Sequence, residues 1–198
     1  LGLIAILLGI ILLAFLFNPF KKDTYAIASF DGDASIELSL DENKKITEAI
    51  SRDDSIPSVE LENLKGKSFE YGLDEIDDYL ENDNYILASC YVPSGENDNY
   101  IDDIRTTIDK ELSDVIFINA NKDDIKQAQK ENKTLGQYKL QSVASLSEFE
   151  KYIDNVNYNK LDRFVLTNSN LIKNSTYIRE QIKNKQSNDK DDDEDDDD

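Results

Sequence analysis

The first seventeen residues, Leu1 to Phe17 (LGLIAILLGIILLAFLF), carry no charge and no strongly polar side chain. At about 1.5 Å per residue the run covers most of a hydrocarbon core of roughly 30 Å, which predicts a membrane-spanning helix over 1–20. The pattern then shifts to short alternating segments. Thr24 to Phe30 (TYAIASF) is β-branched and aromatic, and Ser35 to Leu40 (SIELSL) alternates strictly. Ile36, Leu38 and Leu40 fall on one face of that strand and Ser35, Glu37 and Ser39 on the other, the signature of a half-buried strand. Asp41 to Lys44 is a polar turn, and Lys45 to Ile50 is a third strand. Three strands with short connections predict an antiparallel meander.

After Pro57 the period lengthens. Ser58 to Leu64 predicts one or two helical turns. Leu73, Ile76 and Leu80 predict a helix over Tyr71 to Leu80. Tyr85 to Val92 is the most apolar run of the body and reads as a central strand, ended by Pro93-Ser94-Gly95. Ile101, Ile104, Ile108 and Leu112 form one helical stripe within Asn99 to Asp114. Val115 to Ala120 is a strand. Asn121 caps a helix over Lys122 to Asn132, with Asp123 and Asp124 at its positive end. Gly136 to Leu140 reads as a break. Helices are expected over Leu140 to Ile153 and Leu161 to Ile182, and from Ser187 onward a charged tail without apolar residues. The fold class expected is α+β, an α/β sandwich with one mixed sheet and packed helices. Its organisation is a transmembrane helix over 1–20, an α/β domain over 21–183 and a disordered acidic tail over 184–198.

Charge narrows the partners. The net charge is −20, and the last ten residues hold nine carboxylates and Lys190, so the body is acidic as well. An acidic body repels nucleic acid and anionic headgroups, which need cations to displace counterions; no nucleic-acid partner is expected. Lipid contact is expected through Leu1 to Phe17 alone. Lys21 and Lys22 lean inward under the positive-inside bias, but long domains cross regardless, and composition leaves the side open. The first residue is Leu, so the reading frame is expected to continue upstream.

Chemistry-bearing residues are sparse. Histidine is absent, which removes the usual general base, the Ser-His and Cys-His pairs and the commonest metal ligand. The single cysteine, Cys90, lies in an apolar strand and reads as a small buried residue. Asp31, Asp33, Ser35 and Glu42 mimic parts of a calcium loop, but Ile36 stands where the turn glycine belongs and strands flank the segment, so a strand-connecting bend is favoured. No nucleotide loop or metal cluster is visible, and no metal or cofactor is expected.

One stretch resembles a known family. Tyr25-Ala26-Ile27-Ala28-Ser29-Phe30-Asp31-Gly32-Asp33-Ala34-Ser35-Ile36-Glu37-Leu38, shortly after the apolar run, resembles the segment just outside the membrane in anti-sigma factors of the RsgI type. The family pattern is a strand followed by Asp-x-Asn-Pro-Ser-x-Glu-hydrophobic, and Asp31, Ser35, Ile36, Glu37 and Leu38 fall in register with it. Glu42 to Ile46 is similar to the family's second strand, and Thr134-Leu135-Gly136-Gln137-Tyr138-Lys139-Leu140 to its (Ser/Thr)-x-Gly-x-Tyr-x-Leu stretch. The resemblance implies a single-pass protein of the bacterial cell membrane with its soluble domain outside the cytoplasm. It further implies a sigma factor held by a cytoplasmic segment upstream of Leu1, and release through membrane proteases. The family's self-cleaving Asn-Pro bond aligns with Asp33-Ala34, flanked by Asp31, Ser35 and Glu37. Asp33 lacks the amide and Ala34 the ring, so no self-cleavage and no enzymatic activity are expected. The alternative reading is a membrane-anchored extracytoplasmic binding or scaffold module with no sigma-factor role.

Overall fold

A computed structural model describes residues 24–80, 85–92, 98–153, 156–169 and 171–191. The span expected over 1–20 lies outside the described residues, as do residues 192–198 of the tail. Among the described residues, no helix is long and apolar enough to cross a membrane.

Five strands form one mixed sheet: β1 (Ala26–Asp31), β2 (Ser35–Leu40), β3 (Ile46–Ser51), β4 (Ile86–Tyr91) and β5 (Val115–Asn119), in the order β3-β2-β1-β4-β5. The first three are the antiparallel meander that their short connections predict. β4 pairs with the other edge of β1, so β1 is the middle strand and β4 lies beside it. β5 runs parallel to β4, and a parallel neighbour needs a crossover. The helix that makes it, over Asp98–Glu111, carries the predicted stripe: Ile104 and Ile108 are fully buried.

Side chains alternate across the sheet, and both faces are covered. On one face Ala28, Phe30, Ile36, Leu38 and Cys90 pack under α1 (Ser58–Glu62), α2 (Phe69–Leu80) and α3 (Asp98–Glu111). Burial holds the Cys90 thiol protonated, its pKa pushed up to about 12 although Arg105 pulls it down. On the other face lie α4 (Lys122–Lys130), α5 (Leu135–Ser142), α6 (Leu146–Phe149), α7 (Tyr158–Thr167) and α8 (Ser175–Asp191). Leu87, Ile116, Ile118, Phe149, Phe164, Ile178 and Ile182 form the larger core there, and Ile27, Tyr91, Ile125 and Leu135 a smaller one. The cap on α4 is as expected: Asn121 Oδ1 accepts from the amides of Asp123 and Asp124, and Asp124 Oδ2 accepts from the Asn121 amide at 2.8 Å.

Five readings of the sequence are corrected. β2 is not half-buried; Ser35, Glu37 and Ser39 are as enclosed as their apolar neighbours, because side chains from α5 and from the segment after β3 close over them. The stretch around Gly136 does not break the chain but lies inside α5, capped by Thr134, whose Oγ1 accepts from the Gln137 amide. The helix expected over Leu140 to Ile153 stops at Ser142 and restarts as the short α6 under a Ser145 cap. The helix expected over Leu161 to Ile182 is two, α7 and α8, whose apolar positions fall in one core and so read as one period across the intervening turn. α8 then continues through Ser187 to Asp191, where a tail was the expectation. Lys183, Lys185 and Gln186 are good helix formers, and extending a nucleated helix costs little.

Candidate functional site

The turn between β1 and β2 is the centre of the family resemblance. Asp31 pairs with Ser35 across it, leaving Gly32, Asp33 and Ala34 at the tip. The Gly32 amide donates to the Ala34 carbonyl at 3.0 Å, which closes the bend. The tip rests on the C-terminal end of α2: the Ala34 amide donates to the Tyr79 carbonyl at 3.1 Å, and a Cβ on Gly32 would lie 2.4 Å from the Leu80 carbonyl oxygen. That contact restricts position 32 to glycine. Ala34 is 2% exposed, whereas Asp33 points to solvent.

Directly below the tip is a buried polar cluster. Asp31 Oδ2 accepts the Thr134 hydroxyl at 2.6 Å. Gln137 Nε2 donates to Ser35 Oγ at 2.8 Å, and the Ser35 amide donates to Asp53 Oδ2 at 3.0 Å. Deeper in the sheet, the hydroxyls of Ser29 and Ser89 pair at 2.8 Å. Arg52 Nη2 reaches Glu37 Oε1 at 2.6 Å, both side chains largely enclosed.

Desolvation sets the electrostatics. It raises the Asp31 carboxyl to about 7; hydrogen bonds from Thr134 and Ser35 pull it down, while the charges of Asp53 and Glu37 push it further up. Desolvation raises Glu37 too, against the opposing pull of Arg52. Desolvation also acts upward on Asp53, but the hydroxyls of Ser55 and Ser51 and the amides of Ser55 and Ser35 outweigh it and hold its carboxyl below the ordinary value. Asp31 Oδ1 and Glu37 Oε2 are buried without a hydrogen-bond partner among the described residues. A carboxyl that titrates near neutrality can carry a proton at physiological pH, so Asp31 can serve as donor or acceptor.

The structure thus gathers Asp31, Ser35 and Glu37 on one face of adjacent strands and leaves Asp33 outside at the exposed tip. Thr134 and Gln137 complete the cluster and come from the second stretch of the family resemblance, about a hundred residues away. The resemblance marked both stretches, but nothing in the sequence paired one with the other. Arg52, Asp53, Ser29 and Ser89 carried no such signal. Among the described residues, no group of three or more His, Cys, Asp or Glu side chains is arranged to hold a metal ion.

No family model matches the chain. The anti-sigma-I factor RsgI8 of Acetivibrio thermocellus is 34% identical over 108 residues, which are 50% of this chain and 26% of that protein. The chain therefore spans about a quarter of the length of the curated relative it matches. The similarity is distant and partial, and it relates an α+β domain to an anti-sigma regulator.

Proposed function

We propose that this chain is the membrane-proximal extracytoplasmic domain of a single-pass bacterial anti-sigma factor. Leu1 to Phe17 anchor it, and the domain passes an envelope signal to a sigma-binding segment upstream of Leu1 on the cytoplasmic side. Membrane proteases acting near the span release the sigma factor. The domain itself is not an enzyme and binds no nucleic acid. The observation that carries this reading is the 34% identity with an anti-sigma-I factor over half of the chain. The meeting of the two resemblance stretches at Asp31–Thr134 and Ser35–Gln137 supports it, because both are then parts of one structure.

The test is made on the gene in its bacterial host. With the upstream reading frame intact, the membrane-bound product should retain a sigma factor in a pull-down, and this chain alone should not. Deleting the gene should raise transcription from promoters of that sigma factor. Unchanged transcription together with an empty pull-down would overturn the proposal.

A further inference from the structure

The outer edge of β3 borders a cleft of about 620 Å³. One wall of it is formed by Thr47 to Ser51 without a gap. Side chains of a strand alternate between its two faces, so a cleft touched by five successive residues runs along the edge of the strand, over roughly 17 Å. The facing wall is α1 and the segment before it, with Ile56, Pro57 and Leu61. At the start of β3 the protein's own chain occupies this edge. The Ile46 amide donates to the Lys67 carbonyl at 2.9 Å, the Gly66 amide donates to the Ile46 carbonyl at 2.7 Å, and Lys45 bridges Ser68. Past Ile46 that segment turns away and the cleft begins. It is a strand position filled at one end.

The charge of the cleft selects its occupant. Glu48, Asp54 and Glu62 line it against a single cation, Lys65, in a chain of net charge −20. A second copy of the chain would bring the same acids to the same edge, so electrostatics oppose pairing between copies. We propose that the β3 cleft binds an extended segment of a partner protein that alternates basic and apolar residues. The segment adds as a sixth strand along Thr47–Ser51, turns its apolar side chains toward the α1 wall, and sets its cations on the opposite face beside Glu48, which shares that face with Ser39. In this mode main-chain pairing supplies affinity, and alternate side chains supply selectivity. The inference does not depend on the anti-sigma reading.

The test uses the full 198-residue chain in detergent micelles and a fluorescent Lys/Val alternating heptapeptide, followed by anisotropy. Saturable binding is expected. A Glu/Val peptide should bind at least about tenfold more weakly. The Lys/Val peptide with alternate amides methylated, tested in both registers, should lose at least about tenfold in one register. Glu48→Gln with Asp54→Asn should weaken binding about fivefold with the circular dichroism spectrum unchanged. The asparagine tolerates the positive φ of 58° at position 54. Equal binding by both methylated peptides would reduce the effect to bulk charge and overturn the proposal. So would equal binding of the Glu/Val peptide, no saturation with the Lys/Val peptide, or sedimentation showing a dimer of this chain that excludes the peptide.

Discussion

Thr134 donates its hydroxyl to Asp31 Oδ2 at 2.6 Å across 103 positions of sequence. The same threonine caps α5 through the Gln137 amide, and Gln137 in turn binds Ser35 on the facing strand. One side chain therefore starts a helix and fixes that helix to the hairpin. The docking is polar at the hairpin end and apolar at Leu135 and Leu140, both fully buried.

That geometry makes stability depend on pH through Asp31. Its carboxyl stands near 7 when folded and near 3.9 in an unfolded chain. The native state therefore holds the extra proton between those values, and stability falls as pH rises through 7. The contribution is fully present below about pH 4 and lost above about pH 7, with a ceiling on the order of 4 kcal/mol. Glu37 is raised as well and acts in the same direction; Asp53 is lowered and acts oppositely in strong acid. Urea midpoints should rise from pH 8 to pH 5. Asp31→Asn keeps an acceptor for Thr134, and it should raise the midpoint at pH 8 and leave it nearly unchanged at pH 5. A midpoint for Asp31→Asn below that of the wild type at pH 8 would contradict the assignment.

Gly136→Ala tests the close approach of α5 to the sheet. Alanine favours a helix interior over glycine by about 1 kcal/mol. Here its Cβ would lie 2.7 Å from Leu87 Cδ2 and 2.9 Å from Asp31 Oδ2, with the helix pressed against β1 and β4. Overpacking of this kind costs about 1–3 kcal/mol, so steric strain wins. Chemical denaturation should show net destabilisation, whereas a gain in stability would mean that α5 is free to shift outward.

Arg52→Ala leaves Glu37 enclosed at 4% exposure without its cation. Breaking a buried pair from one side costs about 3–5 kcal/mol, because the remaining charge is uncompensated. Glu37 is already raised by desolvation and can escape by taking a proton, so the loss should be smaller at pH 5 than at pH 8. Unfolding curves of the variant at the two pH values decide this. Equal losses at both would show that packing of the arginine stem, not charge, is what matters.

The strands were legible because alternation and short turns leave few ways to pair them; β2 has its expected bounds, Ser35 to Leu40. The α3 stripe and the Asn121 cap were legible because period and capping chemistry are local. Alternation identified the two faces of β2 but not their exposure, since a polar face can be buried once Arg52, Asp53 and Gln137 satisfy it. Gly136 looked like a break because a lone glycine weakens a helix, whereas the steric reason for it lies on β4 and β1, out of view of any local window. Asp31 and Ser35 were found through resemblance. Their partners Thr134 and Gln137 lay in the second stretch of the resemblance, but only the fold brings the two together.

Replacing Asp33-Ala34 by Asn-Pro tests the family cleavage position directly. The wild-type tip holds a solvent-exposed carboxylate and an alanine amide bonded to the Tyr79 carbonyl. A carboxylate is a poor nucleophile toward its own peptide bond, and alanine places no ring constraint on the bond; the purified chain should therefore give one intact mass. Asp33→Asn with Ala34→Pro restores the amide and the ring and removes the amide donated to Tyr79, while Gly32, Asp31 and Ser35 keep the bend. The double variant should split after position 33 into two complementary fragments within hours of purification. Additional Asp31→Asn and Ser35→Ala changes separate a role for the buried pair from the bond alone. An intact double variant that retains the native circular dichroism spectrum would detach this hairpin from the family's cleavage chemistry, even with the Asp-x-Asn-Pro-Ser-x-Glu pattern complete.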